Sequence, residues 1–129
     1  TRSFASEMAI SNAIDFHNVI GAKRKEERLR YLKNYWTEKI AKNPKIKLNT
    51  SLLSAYSCAV ANFSIEGWKT EDVGTKISEK KKFVFSPIGF EDVHGIRISV
   101  NVYTSLPELD MLVKAIEETC TMTPPARKQ

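Results

Sequence analysis

Arg97 is the residue whose type and setting come closest to chemistry. It lies inside Gly95-Ile96-Arg97-Ile98-Ser99, with an isoleucine on either side. In a strand Ile96 and Ile98 share one face and Arg97 takes the other, so its guanidinium leaves the core side. A planar fork of N–H donors placed there suits a carboxylate. A solvated strand arginine is the competing reading of the same pattern. The remaining reactive types are sparse. The two histidines, His17 and His94, stand in no metal-ligand spacing such as H-E-x-x-H, and His17 falls on a segment of mixed polarity where an ordinary imidazole is expected. Cys58 and Cys120 are too far apart for a metal knuckle or a redox pair, which leaves them as free thiols. There is no glycine-rich phosphate loop and no Gly-x-Ser-x-Gly elbow. The chain therefore carries no self-contained catalytic constellation and no metal site, and its one candidate binding residue is Arg97.

The elements that must position Arg97 follow from apolar spacing. Phe4, Met8, Ile10, Ile14, Phe16 and Ile20 predict a long first helix from Ser3 to Ile20, stopped by Gly21. Leu29, Leu32, Trp36 and Ile40 form the inner stripe of a second helix from about Ala22 to Ala41, which closes before Asn43-Pro44. A short strand is expected at Ile46 to Asn49. A longer one is expected at Ser57 to Ile65, where Ala59, Ala61, Phe63 and Ile65 alternate with Cys58, Val60, Asn62 and Ser64. Thr70 is placed to cap a third helix, with Glu71 and Asp72 at the favourable end of its dipole. Two further strands, Phe83 to Ser86 and Gly95 to Val100, are expected to pair antiparallel across the turn-prone Pro87-Ile88-Gly89 and an acidic loop. Ser105-Leu106-Pro107-Glu108 is a capping-box pattern with Pro in the first turn, and it opens a closing helix through Leu109, Leu112, Val113 and Ile116. The order predicts an α+β fold: a small, mostly antiparallel sheet of about four strands covered by helices and preceded by a long N-terminal helix. Residues Thr121 to Gln129, with Pro124-Pro125 and terminal charges, are expected to be a disordered tail.

Composition bounds the function classes. The chain has 129 residues, 42% hydrophobic and 27% charged, which is ordinary for one globular domain and unlike a disordered segment. Its formal charge of +5 raises the question of a polyanionic partner. Yet the positive residues alternate with negative ones, as in Lys23-Arg24-Lys25-Glu26-Glu27-Arg28, which describes a solvated helix face. Lys80-Lys81-Lys82 lacks interleaved aromatics and reads as an exposed turn, so nucleic acid is not expected as a partner. No apolar run approaches the roughly 18 residues of a membrane span, so no membrane partner is expected. A cytoplasmic location is the default, with any targeting segment lying ahead of Thr1.

The stretch GIRISVNVYTSLPELDMLVKAI, Gly95 to Ile116, resembles the C-terminal signature of class V aminotransferases, and within them isopenicillin N epimerase-like proteins. The resemblance extends upstream to VANFSIEG ending at Gly67, to the Arg-x-x-Leu helix at Arg28 to Tyr35, to AIDFHNVIG ending at Gly21, and to the opening Thr1-Arg2. It covers residues 1 to about 118 with the pieces in the family's order. Val100 departs from the pattern, since a turn residue is frequent there. The resemblance implies a homodimeric, pyridoxal-phosphate enzyme of fold type I acting on an amino acid, in which a large domain, absent here, carries the cofactor lysine. On that implication residues 1–21 are a linker helix from the large domain, 22–120 are the C-terminal small domain, and 121–129 are the tail. Arg97 would bind the substrate α-carboxylate, and Thr1 would reach the cofactor phosphate of the neighbouring subunit. The chain would be inactive alone. The alternative, drawn from the residues without the family, is a stand-alone α+β ligand-binding or regulatory module in which Arg97 marks an effector site.

Overall fold

The structure is a computed structural model describing residues 3–81, 83 and 85–126. Thr1 therefore lies outside the described residues, as do Lys82 and the last three residues of the tail. Four helices and four strands follow in the order α1 (Phe4–Ile20), α2 (Ala22–Ile40), β1 (Ile46–Leu48), β2 (Val60–Ile65), α3 (Thr70–Lys81), β3 (Ser86–Phe90), β4 (Val93–Ser99) and α4 (Leu106–Cys120). The strands form one antiparallel sheet in the order β1-β2-β4-β3. The α+β class and the leading N-terminal helix are as the periodicity predicts.

The register assigns each side chain to a face. Ile46 pairs with Ile65, Leu48 with Phe63, Phe63 with Ile96 and Ala61 with Ile98, all on the side that α2, α3 and α4 cover. Leu32, Trp36, Ile40, Phe63, Ile77, Ile96 and Ile116 are sealed from solvent there. The opposite face carries Ser64, Asn62, Arg97, Ser99 and Ser86, with Val60, Phe90 and Val93 exposed beside them. α4 begins as its sequence requires: the Ser105 hydroxyl accepts from the Glu108 N–H, and the Glu108 carboxylate accepts from the Ser105 N–H at 2.8 Å. Its inner face fixes it to α2 and α3. α1 is different: it meets the rest of the fold through α2, and none of its residues is buried.

Several expected boundaries move. The third strand was expected at Phe83 to Ser86 with a turn at Pro87-Ile88-Gly89, but β3 contains that tripeptide and starts where the expected strand ends. β3 is an edge strand, where a proline's missing N–H can face outward at no cost to the ladder. The reversal falls instead at Glu91-Asp92, with Glu91 at φ 49°. Phe83 and Phe85 sit before the strand, half-buried against the core, with ring centroids 5.8 Å apart. β2 starts at Val60 and not at Ser57, because Ser57 is engaged by α2 side chains. Thr70 is the first residue inside α3 and not its cap, and Lys80 and Lys81 end that helix where an exposed turn was expected. After α4, Thr121 and Met122 turn back by N–H bonds to Glu118 and Thr119, and Pro124 lies beside Gly67.

Candidate functional site

Arg97 on β4 stands in one cross-strand row between Asn62 on β2 and Ser86 on β3. It lies on the face away from the core and is exposed, as strand alternation predicts. Its guanidinium makes no hydrogen bond or ion pair with any described residue; the ion pairs among the described residues are Arg30–Glu26, Lys39–Asp110 and Lys76–Glu79. A charged fork with no partner among the described residues suits an exogenous anion.

Arg97 lines a half-enclosed cleft of about 290 Å³ at the end of the sheet where β3 begins. The end of β4 supplies Arg97, Ile98 and Ser99 to this cleft, the segment entering β3 supplies Phe83 and Phe85, and α4 closes it with Leu109 and Leu112. Tyr103 and Glu108 stand at its rim. The Tyr103 loop is held from both sides: Arg28 on α2 donates to the Thr104 carbonyl at 3.2 Å, and the Asn101 N–H donates to the Thr104 hydroxyl at 3.0 Å. Glu108 is tied into the helix cap. The Ser105 N–H and hydroxyl both donate to its Oε2, which holds its carboxyl below the usual carboxylate range.

Beside Arg97, the open face is packed to backbone tolerance. Gly95, two residues before Arg97 on the same side, has the Phe63 carbonyl oxygen 2.3 Å and Asn62 Oδ1 2.4 Å from where a Cβ would stand. Asn62 is held over it by Asn49, whose Nδ2 donates to Asn62 Oδ1 at 2.7 Å and to the His94 carbonyl at 3.1 Å. The Asn62 N–H in turn donates to the Thr50 hydroxyl. The loop that delivers Asn49 and Thr50 is anchored by α2. Arg30 donates to the Ser54 and Ser57 carbonyls, and Lys33 Nζ donates to the Ser57 hydroxyl at 2.8 Å.

Lys33 is only 1% exposed, an unusual place for a lysine. Burial pushes its ammonium below the usual lysine range, and the Arg30 charge adds to this. In the unfolded chain Lys33 titrates near 10.5. Between its folded pKa and that value the unfolded state holds more protons, so this group's contribution to stability rises with pH and is lost as pH falls through the folded pKa. The stability of the wild type relative to Lys33→Met is therefore expected to increase as pH approaches 10.5, read from denaturation midpoints at a series of pH values. A flat difference would mean that Lys33 is not desolvated.

The structure brings few of the other candidates to Arg97. His94 pairs with Gly89 near the hairpin end, three residues from Arg97 and hence on the opposite face, and it does not line the cleft. His17 is half-buried on α1, with its carbonyl accepting from the Gly21 N–H. Cys58 is half-buried and Cys120 buried, and both are free thiols. Among the described residues no cluster of His, Cys, Asp or Glu could hold a metal ion, and no helix is long and apolar enough to cross a membrane. Sequence reasoning found the guanidinium but missed the walls of the cleft. Glu108 reads from sequence only as half of a cap, and Phe83 and Phe85 only as a strand.

The chain matches no protein-family model and no curated protein.

Proposed function

We propose that this chain is the C-terminal small domain of a pyridoxal-phosphate enzyme of the class V aminotransferase type, in which Arg97 holds the α-carboxylate of an amino-acid substrate. The observation that carries this reading is Arg97, which lines a half-enclosed cleft and whose guanidinium bonds no described residue, at the start of the family-like Gly95-to-Ile116 stretch. Two donors of a guanidinium match the two oxygens of a carboxylate, which fixes the substrate's orientation as well as its charge.

The cofactor itself does not fit the cleft. No described lysine lines it, and the anionic Glu108 at its rim opposes a phosphate. On this reading the cofactor, which supplies the electron sink when bound, belongs to a large domain of a longer polypeptide and to a homodimer partner. The exposed surface of α1 supports such a neighbour. At 100° per residue, Phe4, Met8, Phe16 and Val19 lie on one broad side and Ile10 and Ile14 on another, and all six are more than half exposed. A helix apolar on more than one side belongs between packed layers.

The test uses the longer chain that includes the cofactor lysine. Arg97→Lys keeps the charge but loses the planar fork, and kcat/KM for an accepted amino acid is expected to fall roughly ten- to a hundredfold, which is the about 1.5–3 kcal/mol of a charge-assisted bond. Arg97→Ala is expected to fall further, with the cofactor's absorbance spectrum intact in both. Unchanged kcat/KM in both variants would refute the carboxylate role.

A further inference from the structure

The cleft beside Arg97 is small and mostly apolar. Its volume of about 290 Å³ stands at the low end of the roughly 300–1,000 Å³ of small-molecule sites. Phe83, Phe85, Ile98, Leu109 and Leu112 line it, and Leu109 and Leu112 reach it from otherwise buried positions on α4. Its two charges are of opposite sign: Arg97 on the sheet and Glu108 on α4. Glu108 has both its cap bonds on Oε2, which fixes a carboxylate at the rim. A ligand that fills this space therefore carries one carboxylate for Arg97 and an apolar tail for the interior. A second carboxylate on that tail would meet the like charge of Glu108 at the rim, which disfavours it.

We propose that the substrate is an amino acid with an aromatic or branched aliphatic side chain, which enters the cleft between Phe85 and Leu112 while Arg97 holds the α-carboxylate, and that Glu108 excludes acidic side chains. This inference rests on the carboxylate reading of Arg97 given above. Size sets the upper limit on the side chain, and Phe83 and Phe85, tilted 50° to each other with centroids 5.8 Å apart, offer a ring both a face and an edge to pack against. Glu108 thus has two duties, since the same carboxylate caps α4 and guards the cleft.

The chain itself can be tested with simple carboxylates by NMR, following the methyls of Ile98, Leu109 and Leu112 and the side chain of Arg97. The ligands are 3-phenylpropanoate, acetate and glutarate. Burying a phenyl ring is worth about tenfold or more in affinity, so 3-phenylpropanoate is expected to bind at least tenfold tighter than acetate or glutarate and to shift the three methyls. The wild type is expected to bind 3-phenylpropanoate more tightly than the uncharged 2-phenylethanol, and Arg97→Met is expected to abolish that difference. Glu108→Gln keeps the capping geometry, because Gln serves at that position too, and is expected to strengthen glutarate binding severalfold while leaving 3-phenylpropanoate unchanged. Equal shifts at Arg97 from acetate and 3-phenylpropanoate, with silent methyls, would overturn the side-chain inference and leave the carboxylate reading standing. Binding of 3-phenylpropanoate that survives Arg97→Met at full strength would overturn both, as would the absence of any shift. Circular dichroism on each variant separates loss of binding from loss of fold.

Discussion

Gly95→Ala is expected to destabilise the fold by about 3 kcal/mol, or roughly 10 °C in Tm, the upper part of the range for overpacking a tight interior. The added methyl would stand 2.3 Å from the Phe63 carbonyl oxygen and 2.4 Å from Asn62 Oδ1. The first neighbour is backbone in the central strand pair β2–β4, so it cannot swing aside as a side-chain tip would. The second is the acceptor of the Asn49 amide, so relief there breaks the bond that seats the Asn49 loop on the sheet. Gly95 has an ordinary negative φ, and the effect is therefore one of space and not of backbone strain. Gly74→Ala is the matching control. Its new methyl meets only the tip of Ile96 at 3.3 Å, and alanine favours a helix interior by up to about 1 kcal/mol, so the two terms nearly cancel. Thermal melts of both variants check the pair, and equal losses at Gly95 and Gly74 would show that the close approach at Gly95 is not tight.

Phe63→Ala is expected to cost about 3–5 kcal/mol, the range for emptying a large buried ring. Phe63 is fully buried at the middle of β2, opposite both Leu48 and Ile96, and its ring meets Trp36 edge-on with centroids 6.1 Å apart. The ring joins the sheet to α2, so its loss removes contacts from both layers at once. Domains of this size are stable by roughly 5–15 kcal/mol, which makes one such change a large share of the whole. It also acts on the site, because the neighbouring residue of β2, Asn62, is the cross-strand partner of Arg97. Val60→Ala on the open face, where the side chain is 44% exposed, is expected to stay within about 0.5 kcal/mol. Urea midpoints at unchanged slope measure both, and a Phe63→Ala midpoint close to that of Val60→Ala would contradict the layer assignment.

The helices were legible because their signals are local. The capping box at Ser105–Glu108 and the stop at Gly21 each depend on a few adjacent residues, and both lie where the sequence places them. The strands were less so. Pro87 and Gly89 read as a turn in isolation, and only their place on a sheet edge allows them in β3. Ser57 reads as strand until Arg30 and Lys33, 27 and 24 residues earlier, claim its carbonyl and hydroxyl. The direction of Arg97 came from alternation within its own strand. The walls of its cleft come from three separated segments, and no local pattern joins Phe85, Tyr103 and Leu112. Lys33 escaped for the same reason, since its burial depends on the loop that folds over it.

The links between α2 and α4 set how the molecule must come together. Arg28 reaches the Thr104 carbonyl, Tyr35 and Lys39 share Asp110, and Lys45 reaches the Cys120 carbonyl, each across 71 to 76 residues of chain. With the sheet also joining β2 to β4 across a helix and a strand, the contacts that tie the layers together are distant in sequence, while those within the helices and the β3–β4 hairpin are local. Closing such loops is entropically costly before any contact rewards it, so folding is expected to be slower than that of a helical bundle and faster than that of an all-β domain. During synthesis, β2 can cover Trp36 through Phe63 before α4 is made, but the rest of the α2 stripe stays open until α4 has left the ribosome. Docking of α4 thus completes the core, and until then part of the apolar stripe of α2 stays in water.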